Sequence, residues 1–230
     1  MTGLIKTPLD RRAVVFGSGA GLAVLATSGC ASLPSFSLTE AVRRLLLLST
    51  ENAFARLTAP DGYWGEQVAR QGLGTLLGTR GDVVSRVLTS SLFKNRLEGV
   101  FADIAIEGSF RAAPLVTEAV RTIGLANAAE LIRGGPRAAT QALRGEMGGR
   151  LIDAMVPELG EAIRVASDPL VAQLINAATG TDVGGIAQRL AGNVDDAIWD
   201  QIGLSEADIR ANPQSTGDPV LIGVFGVAAI

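Results

Sequence analysis

Along most of this chain apolar residues return every three or four positions, and no stretch alternates apolar with polar over the length of a strand. Spacing of three and four lines up side chains on one face of a helix, whereas a half-buried strand needs a period of two. That restricts the chain to helix packed on helix. Ser37-Leu38-Thr39-Glu40 reads as a capping box, the serine accepting an orphan amide and the glutamate reaching back. Leu38, Val42, Leu45, Phe54 and Leu57 keep the helical phase beyond it. Leu45–Leu48 is apolar on all sides, so this helix should be covered from more than one direction.

Proline and glycine supply the punctuation. Pro60-Asp61-Gly62 is a turn, and Gly65–Gly81 is expected to be a loop with one short helix. A helix is expected from Asp82 to Phe110 and another from Pro114, a residue suited to a first turn, to Gly124. Asn127-Ala128-Ala129-Glu130 is a second capping box. Gly134 should stop that helix in the left-handed conformation, Gly135 should extend the turn, and Pro136 should start a helix running toward Pro157. Helical patterns continue over Pro157–Ser167, Asp168–Ala178 and Asp182–Ile202, and Ser205-Glu206-Ala207-Asp208 should cap one more. The uncharged tail Val220–Ile230 is too short to span a bilayer and is expected to dock. No heptad or fixed-period repeat is present. The expectation is an all-α fold: a single globular domain of about eight helices over residues 37–230.

The chain has no histidine and one cysteine. Without histidine there is no Ser-His-Asp or Cys-His mechanism and no His-ligated zinc. What survives is carboxylate chemistry, a hard-metal site or a Ser-Lys pair, and the last would have to use Lys94, whose neighbours read as a solvated helix face. No cofactor or metal is expected.

The cysteine is Cys30, and its setting has the plan of an export signal. Arg11 and Arg12 precede an uncharged 14-residue stretch, Ala13–Ala26, which ends in Thr27-Ser28-Gly29-Cys30. A spanning helix needs roughly 20 apolar residues, and Gly17, Gly19 and Gly21 weaken this one further. Asp10-Arg11-Arg12-Ala13 resembles a twin-arginine signal, with Asp10 where a Ser or Thr is usual; the alternative is the general secretion route, which needs only positive charge and an apolar run. Ser28-Gly29-Cys30 resembles a lipobox, with Thr27 where Leu is usual. Residues 1–29 are therefore expected to be cleaved, Cys30 to be acylated, and 30–36 to form a tether. Ala31 and Ser32 lack an Asp of the kind that retains lipoproteins in the inner membrane, which points to the periplasmic face of the outer membrane. The alternative is a soluble periplasmic protein.

Removing Lys6, Arg11 and Arg12 from 20 basic residues and Asp10 from 23 acidic ones leaves 17 and 22, a net charge of −5. That is not a nucleic-acid binder's balance.

One segment carries a family resemblance. Ala128-Ala129-Glu130-Leu131-Ile132-Arg133-Gly134-Gly135-Pro136-Arg137-Ala138-Ala139-Thr140 resembles the helix, double-glycine turn and Ala-Ala-Thr helix start of the bacterial envelope proteins grouped as domain of unknown function 4197. Asn193–Asp200, Ile209-Arg210-Ala211-Asn212-Pro213 and Val224-Phe225-Gly226 resemble its C-terminal signature, and Leu38–Ala41 and Pro60–Tyr63 its opening segments. Where the family tends to carry a basic cluster, this chain has Gly145-Glu146-Met147-Gly148-Gly149. The resemblance implies a helical exported protein, often a lipoprotein, and brings no catalytic residues.

Three functions remain. The favoured one is a non-enzymatic envelope protein, held to the membrane by Cys30 and contacting a protein or the cell wall. The second is a carrier of an apolar ligand, with Tyr63 and Trp64 as candidate pocket residues; the plainer reading of this pair is that it anchors its segment to the core. The third is an enzyme using Asp195, Asp196, Glu206 and Asp208 near Arg210. Adjacent aspartates on a helix diverge, so these acids read first as a solvated face.

Overall fold

Four long helices close a ring, and two of them also meet across it. The computed structural model describes residues 37–60, 62–72, 91–165 and 183–226. In chain order the α-helices are α1 (Leu38–Leu57), α2 (Tyr63–Gln71), α3 (Ser91–Thr122), α4 (Ala128–Arg133), α5 (Ala138–Met147), α6 (Arg150–Val165), α7 (Val183–Ala211) and α8 (Pro219–Phe225), with a 3₁₀ turn at Pro213–Thr216. The ring runs α1, α7, α6, α3 and back to α1. The shorter helices lean on it: α2 on α3, α4 on α1, α5 on α7, and α8 on α1. Among the described residues there is no strand, and no helix is long and apolar enough to cross a membrane. The expected all-α domain is what the chain forms.

Helix α1 follows the sequence expectation closely. Its buried face is Val42, Leu45, Leu46, Ala53, Phe54 and Leu57, with Ala41, Ser49 and Thr50 between them. Ser37 Oγ accepts the Glu40 N–H at 3.1 Å. The reciprocal half of the box is not made. The Glu40 carboxylate instead takes Arg44 Nε at 2.8 Å, and Arg44 Nη1 reaches Asp218 at 3.1 Å. Asp218 is itself the N-cap of α8, accepting from the Val220 and Leu221 amides at 2.7 and 3.3 Å. One chain of polar contacts thus joins the start of the first helix to the start of the last.

Several expected breaks are absent. Pro114 lies inside α3, which is continuous over 32 residues. A proline inside a helix costs about 3 kcal/mol. Ala112, Val116 and Val120 are fully buried on one face across it, and burying each valine is worth about 1.5–3 kcal/mol, so packing carries the helix past the proline. Pro157 likewise lies inside α6, with Met155, Leu159 and Ile163 buried around it. The break that does occur is at Gly148, where φ is +55° and a side chain would be strained. Ser205 starts no new helix; α7 runs through it for 29 residues, and the buried Ser205 Oγ accepts from Asn52 Nδ2 at 3.1 Å. The short helix expected within Gly65–Gly81 is α2, which starts earlier, at Tyr63, and ends at Gln71; residues 73–81 lie outside the described residues. The helix expected from Asp82 is described only from Ser91 onward, as part of α3, and Asp168–Ala178 lies outside the described residues.

A Cβ at Gly108 of α3 would stand 3.1 Å from Leu159 Cδ2 of α6, so the α3–α6 seam depends on that absence of a side chain.

Candidate functional site

Helix α7 carries Glu206 and Arg210 one turn apart, a spacing that brings acid and base together on one side. Glu206 has no exposed surface at all. Its Oε1 accepts the Ala139 amide at 3.0 Å, and its Oε2 accepts the Thr140 amide at 2.7 Å and the Thr140 hydroxyl at 2.6 Å. Arg210 Nε donates to Oε1 at 2.8 Å. Helix α5 has no side-chain cap of its own, since Arg137 occupies the N-cap without capping. Glu206 supplies that cap from a different helix, placing a carboxylate at the positive end of the α5 dipole.

Arg210 does the reverse for α4. Its Nη2 donates to the Leu131 carbonyl at 2.8 Å and its Nη1 to the Ile132 carbonyl at 3.0 Å, at the negative end of that helix. The guanidinium lies 4.8 Å from the centre of the Phe225 ring in α8, within cation–π range. A single buried ion pair therefore fixes the end of α4, the beginning of α5 and the face of α8.

Between α4 and α5 lies the Gly134-Gly135-Pro136 corner. Gly134 does not adopt the left-handed conformation expected of it: φ is −69° and ψ is −178°, an extended backbone open to any residue. Its requirement is steric. A Cβ there would lie 2.6 Å from Ala138 Cβ. Pro136 does not begin a helix either. The Ala138 amide donates to the Gly135 carbonyl at 3.1 Å, which leaves Pro136 second in a four-residue turn, a position its fixed φ suits. Asn127 makes no capping bond to α4 with its side chain, so the second expected capping box is absent.

A second polar cluster lies farther toward the N-terminus of α7. Asp195 is buried, accepting Trp199 Nε1–H at 2.9 Å and Arg144 Nη2–H at 3.0 Å. Burial pushes its carboxyl up from the usual range, and Trp199 and Arg144 oppose that without cancelling it. Arg144 also bridges to exposed Asp196, and Arg137 pairs with Asp200 at 2.8 Å. The two aspartates diverge as their adjacency requires, one inward and one outward. Asp208 is exposed. The acids expected on a solvated face are thus split: Asp196 and Asp208 lie there, Asp195 and Glu206 do not. Eleven residues of helix separate the two buried carboxylates by about 16 Å along the axis, too far to act on one bond. Among the described residues no group of three or more His, Cys, Asp or Glu side chains could hold a metal.

Trp64 is buried and donates its indole N–H to Ser109 Oγ at 3.1 Å, while Tyr63 meets it edge-on at a ring separation of 5.1 Å. That geometry clamps α2 to α3. Lys94 is exposed and faces the buried Oε1 of Glu98 across 3.6 Å. Surface hollows exist elsewhere. One of about 500 Å³ is bordered by Ile132, Arg133, Pro136 and Phe225, but its inner cation, Arg210, is taken up by protein acceptors. Cys30, Arg11 and Arg12 lie outside the described residues.

Comparison with family models matches residues 32–226 to the "Protein of unknown function (DUF4197)" family. The chain belongs to DUF4197. The comparisons with curated proteins and with solved structures found no match. The segment that carried the resemblance to DUF4197, Ala128–Thr140, is the one whose backbone Glu206 and Arg210 hold. Neither residue was singled out as structural from sequence. The signal for Glu206 was its phase: Ile198, Ile202 and Ile209 place position 206 on the buried stripe of α7.

Proposed function

We propose that this member of DUF4197 is an exported lipoprotein, tethered through Cys30 at the periplasmic face of the outer membrane, whose helical body works by contact rather than by chemistry. The observation that carries the contact reading is the saturation of Glu206. Its two oxygens face two amides, a hydroxyl and a guanidinium, all belonging to the fold. A general base needs a free oxygen within reach of a substrate proton, and Glu206 has neither room nor exposure for one. Asp195 is likewise held by an indole and a guanidinium. The large apolar groups left at the surface among the described residues are Leu38 on α1 and Phe110 and Leu115 on α3.

The anchor reading rests on the order charge, apolar run, small residues and cysteine, and on the need of a lone thiol in an exported chain for a purpose. Mass spectrometry of the protein extracted from membranes tests it. A diacylglyceryl or triacyl adduct on Cys30 as first residue is expected. A soluble, unmodified form starting elsewhere would exclude the lipid anchor and leave the soluble periplasmic alternative.

A further inference from the structure

A hollow of about 370 Å³ opens on the seam between α1 and α7 and reaches the 3₁₀ turn. The two helices run antiparallel there. Asn52 Nδ2 donates to Ser205 Oγ at 3.1 Å, and Arg56, one turn on in α1, donates to the carbonyl of Gln201, one turn back in α7, at 3.4 Å. Ser205 is buried, so the Asn52 bond lies on the inner side of the hollow. Asp208 also borders it. A step of seven residues keeps Asp208 on the same side of α7 as Gln201 and carries it about 10 Å along the axis. Arg56 and Asp208 therefore face one hollow from opposite ends.

Neither charge is answered within the protein. The Asp208 carboxylate has no hydrogen bond or ion pair among the described residues, and Arg56 makes its one long bond to a carbonyl and pairs with no acid there. In the hollow between α5 and α7, by contrast, Arg137 pairs with Asp200, and Arg144 with Asp195 and Asp196. Acceptors lie between the two unanswered charges. Asn52 has committed its amide nitrogen to Ser205, which leaves its oxygen, and Ser215 Oγ gives its proton to the Asn212 carbonyl at 2.7 Å, which leaves its lone pairs. An acid and a base that share a hollow without closing on each other match a ligand carrying both signs about 10 Å apart, with N–H groups between them. Three residues of extended polypeptide span about 10 Å. They bring an ammonium at one end, a carboxylate at the other and amide N–H groups in the middle. A free amino acid is too short to reach both charges, and a neutral ligand would leave both unanswered.

We infer that this hollow binds a short peptide by its two charged ends, the ammonium against Asp208 and the carboxylate against Arg56. The guanidinium fork matches a carboxylate, and the placement of opposite charges at the two ends fixes the direction of the chain. The inference supplies a ligand for the contact reading above. It does not involve Cys30, so it stands or falls separately from the anchor.

Calorimetric titration of trialanine into the full chain carrying Cys30→Ser, at low ionic strength, tests it. A saturable isotherm with a Kd below about 1 mM is expected. Capping either end should weaken binding about tenfold, N-acetyl-trialanine having lost the ammonium and trialanine amide the carboxylate. Asp208→Asn should remove the advantage of trialanine over its N-acetyl form and keep the advantage over its amide. Arg56→Gln should do the converse. Both positions are exposed, so both variants should keep the far-ultraviolet spectrum and unfolding midpoint of the parent. No saturable binding, capped peptides that bind the parent as well as trialanine does, or variants that either match the parent or lose affinity for all three peptides alike would each overturn the inference.

Discussion

Replacing Glu206 by alanine tests the central feature of the fold. The change removes the acceptor for the Ala139 and Thr140 amides and for the Thr140 hydroxyl. It also strands Arg210, whose side chain is only 10% exposed. Loss of a helix N-cap costs about 0.5–2 kcal/mol, and breaking a buried ion pair from one side costs about 3–5 kcal/mol. The two overlap, because both count the same carboxylate, and Arg210 keeps the Leu131 and Ile132 carbonyls and the Phe225 ring. The expected loss is therefore about 3–5 kcal/mol rather than the sum. In a domain of this size that lowers Tm by roughly 6–20 °C. Urea unfolding followed by circular dichroism should show the midpoint falling with the slope unchanged. Adding Arg210→Met removes the stranded cation, so the double variant should be far more stable than the two single losses added together. A loss below about 1 kcal/mol in Glu206→Ala, or strictly additive losses in the double variant, would refute the assignment of Glu206 and Arg210 as one unit.

Two further outcomes follow from neighbouring geometry. Gly134→Ala should destabilise by about 1–3 kcal/mol through overpacking; because the clash is with Ala138 Cβ, Gly134→Ala with Ala138→Gly should recover most of it in thermal unfolding, which a purely conformational requirement would not allow. Asp218 is held below the usual carboxylate range: burial opposes this, but the Val220 amide, Arg44 and the Leu221 amide prevail. Its contribution is complete above the ordinary carboxylate value and disappears as pH falls through the lowered one. Asp218→Asn should therefore be less stable than the parent at neutral pH and converge with it in strong acid, as urea midpoints across a pH series would show.

The sequence made the class of fold legible because helical phase is written in local spacing. The α1 stripe and the Ser37 cap needed nothing beyond neighbouring residues. The boundaries were misread where tertiary packing overruled a local signal. Pro114 and Pro157 look like helix starts until Val116, Val120 and Leu159 are known to be buried around them, whereas Gly148, one of a crowd of glycines, is the true break. Asn127 and Glu130 satisfy the pattern of a capping box but do not form one, because the ends of α4 and α5 are held from α7, more than 60 residues away. That distance also hid the node itself. Glu206 and Arg210 read as an ordinary surface pair, and only the isoleucines in phase with Glu206 betrayed its burial.

The closure of α1 by α7 and α8 has a consequence for how the polypeptide reaches its native form. Among the described helices α1 comes first, yet the neighbour it packs on most, α7, begins only at Val183, and Arg44 waits for Asp218, 174 positions later. Contacts so distant in sequence make folding slow to begin. α4 and α5, lacking caps of their own, gain their terminal hydrogen bonds only once α7 has arrived. The ends of α4 and α5 therefore become fixed only when α1 and α7 have been brought together.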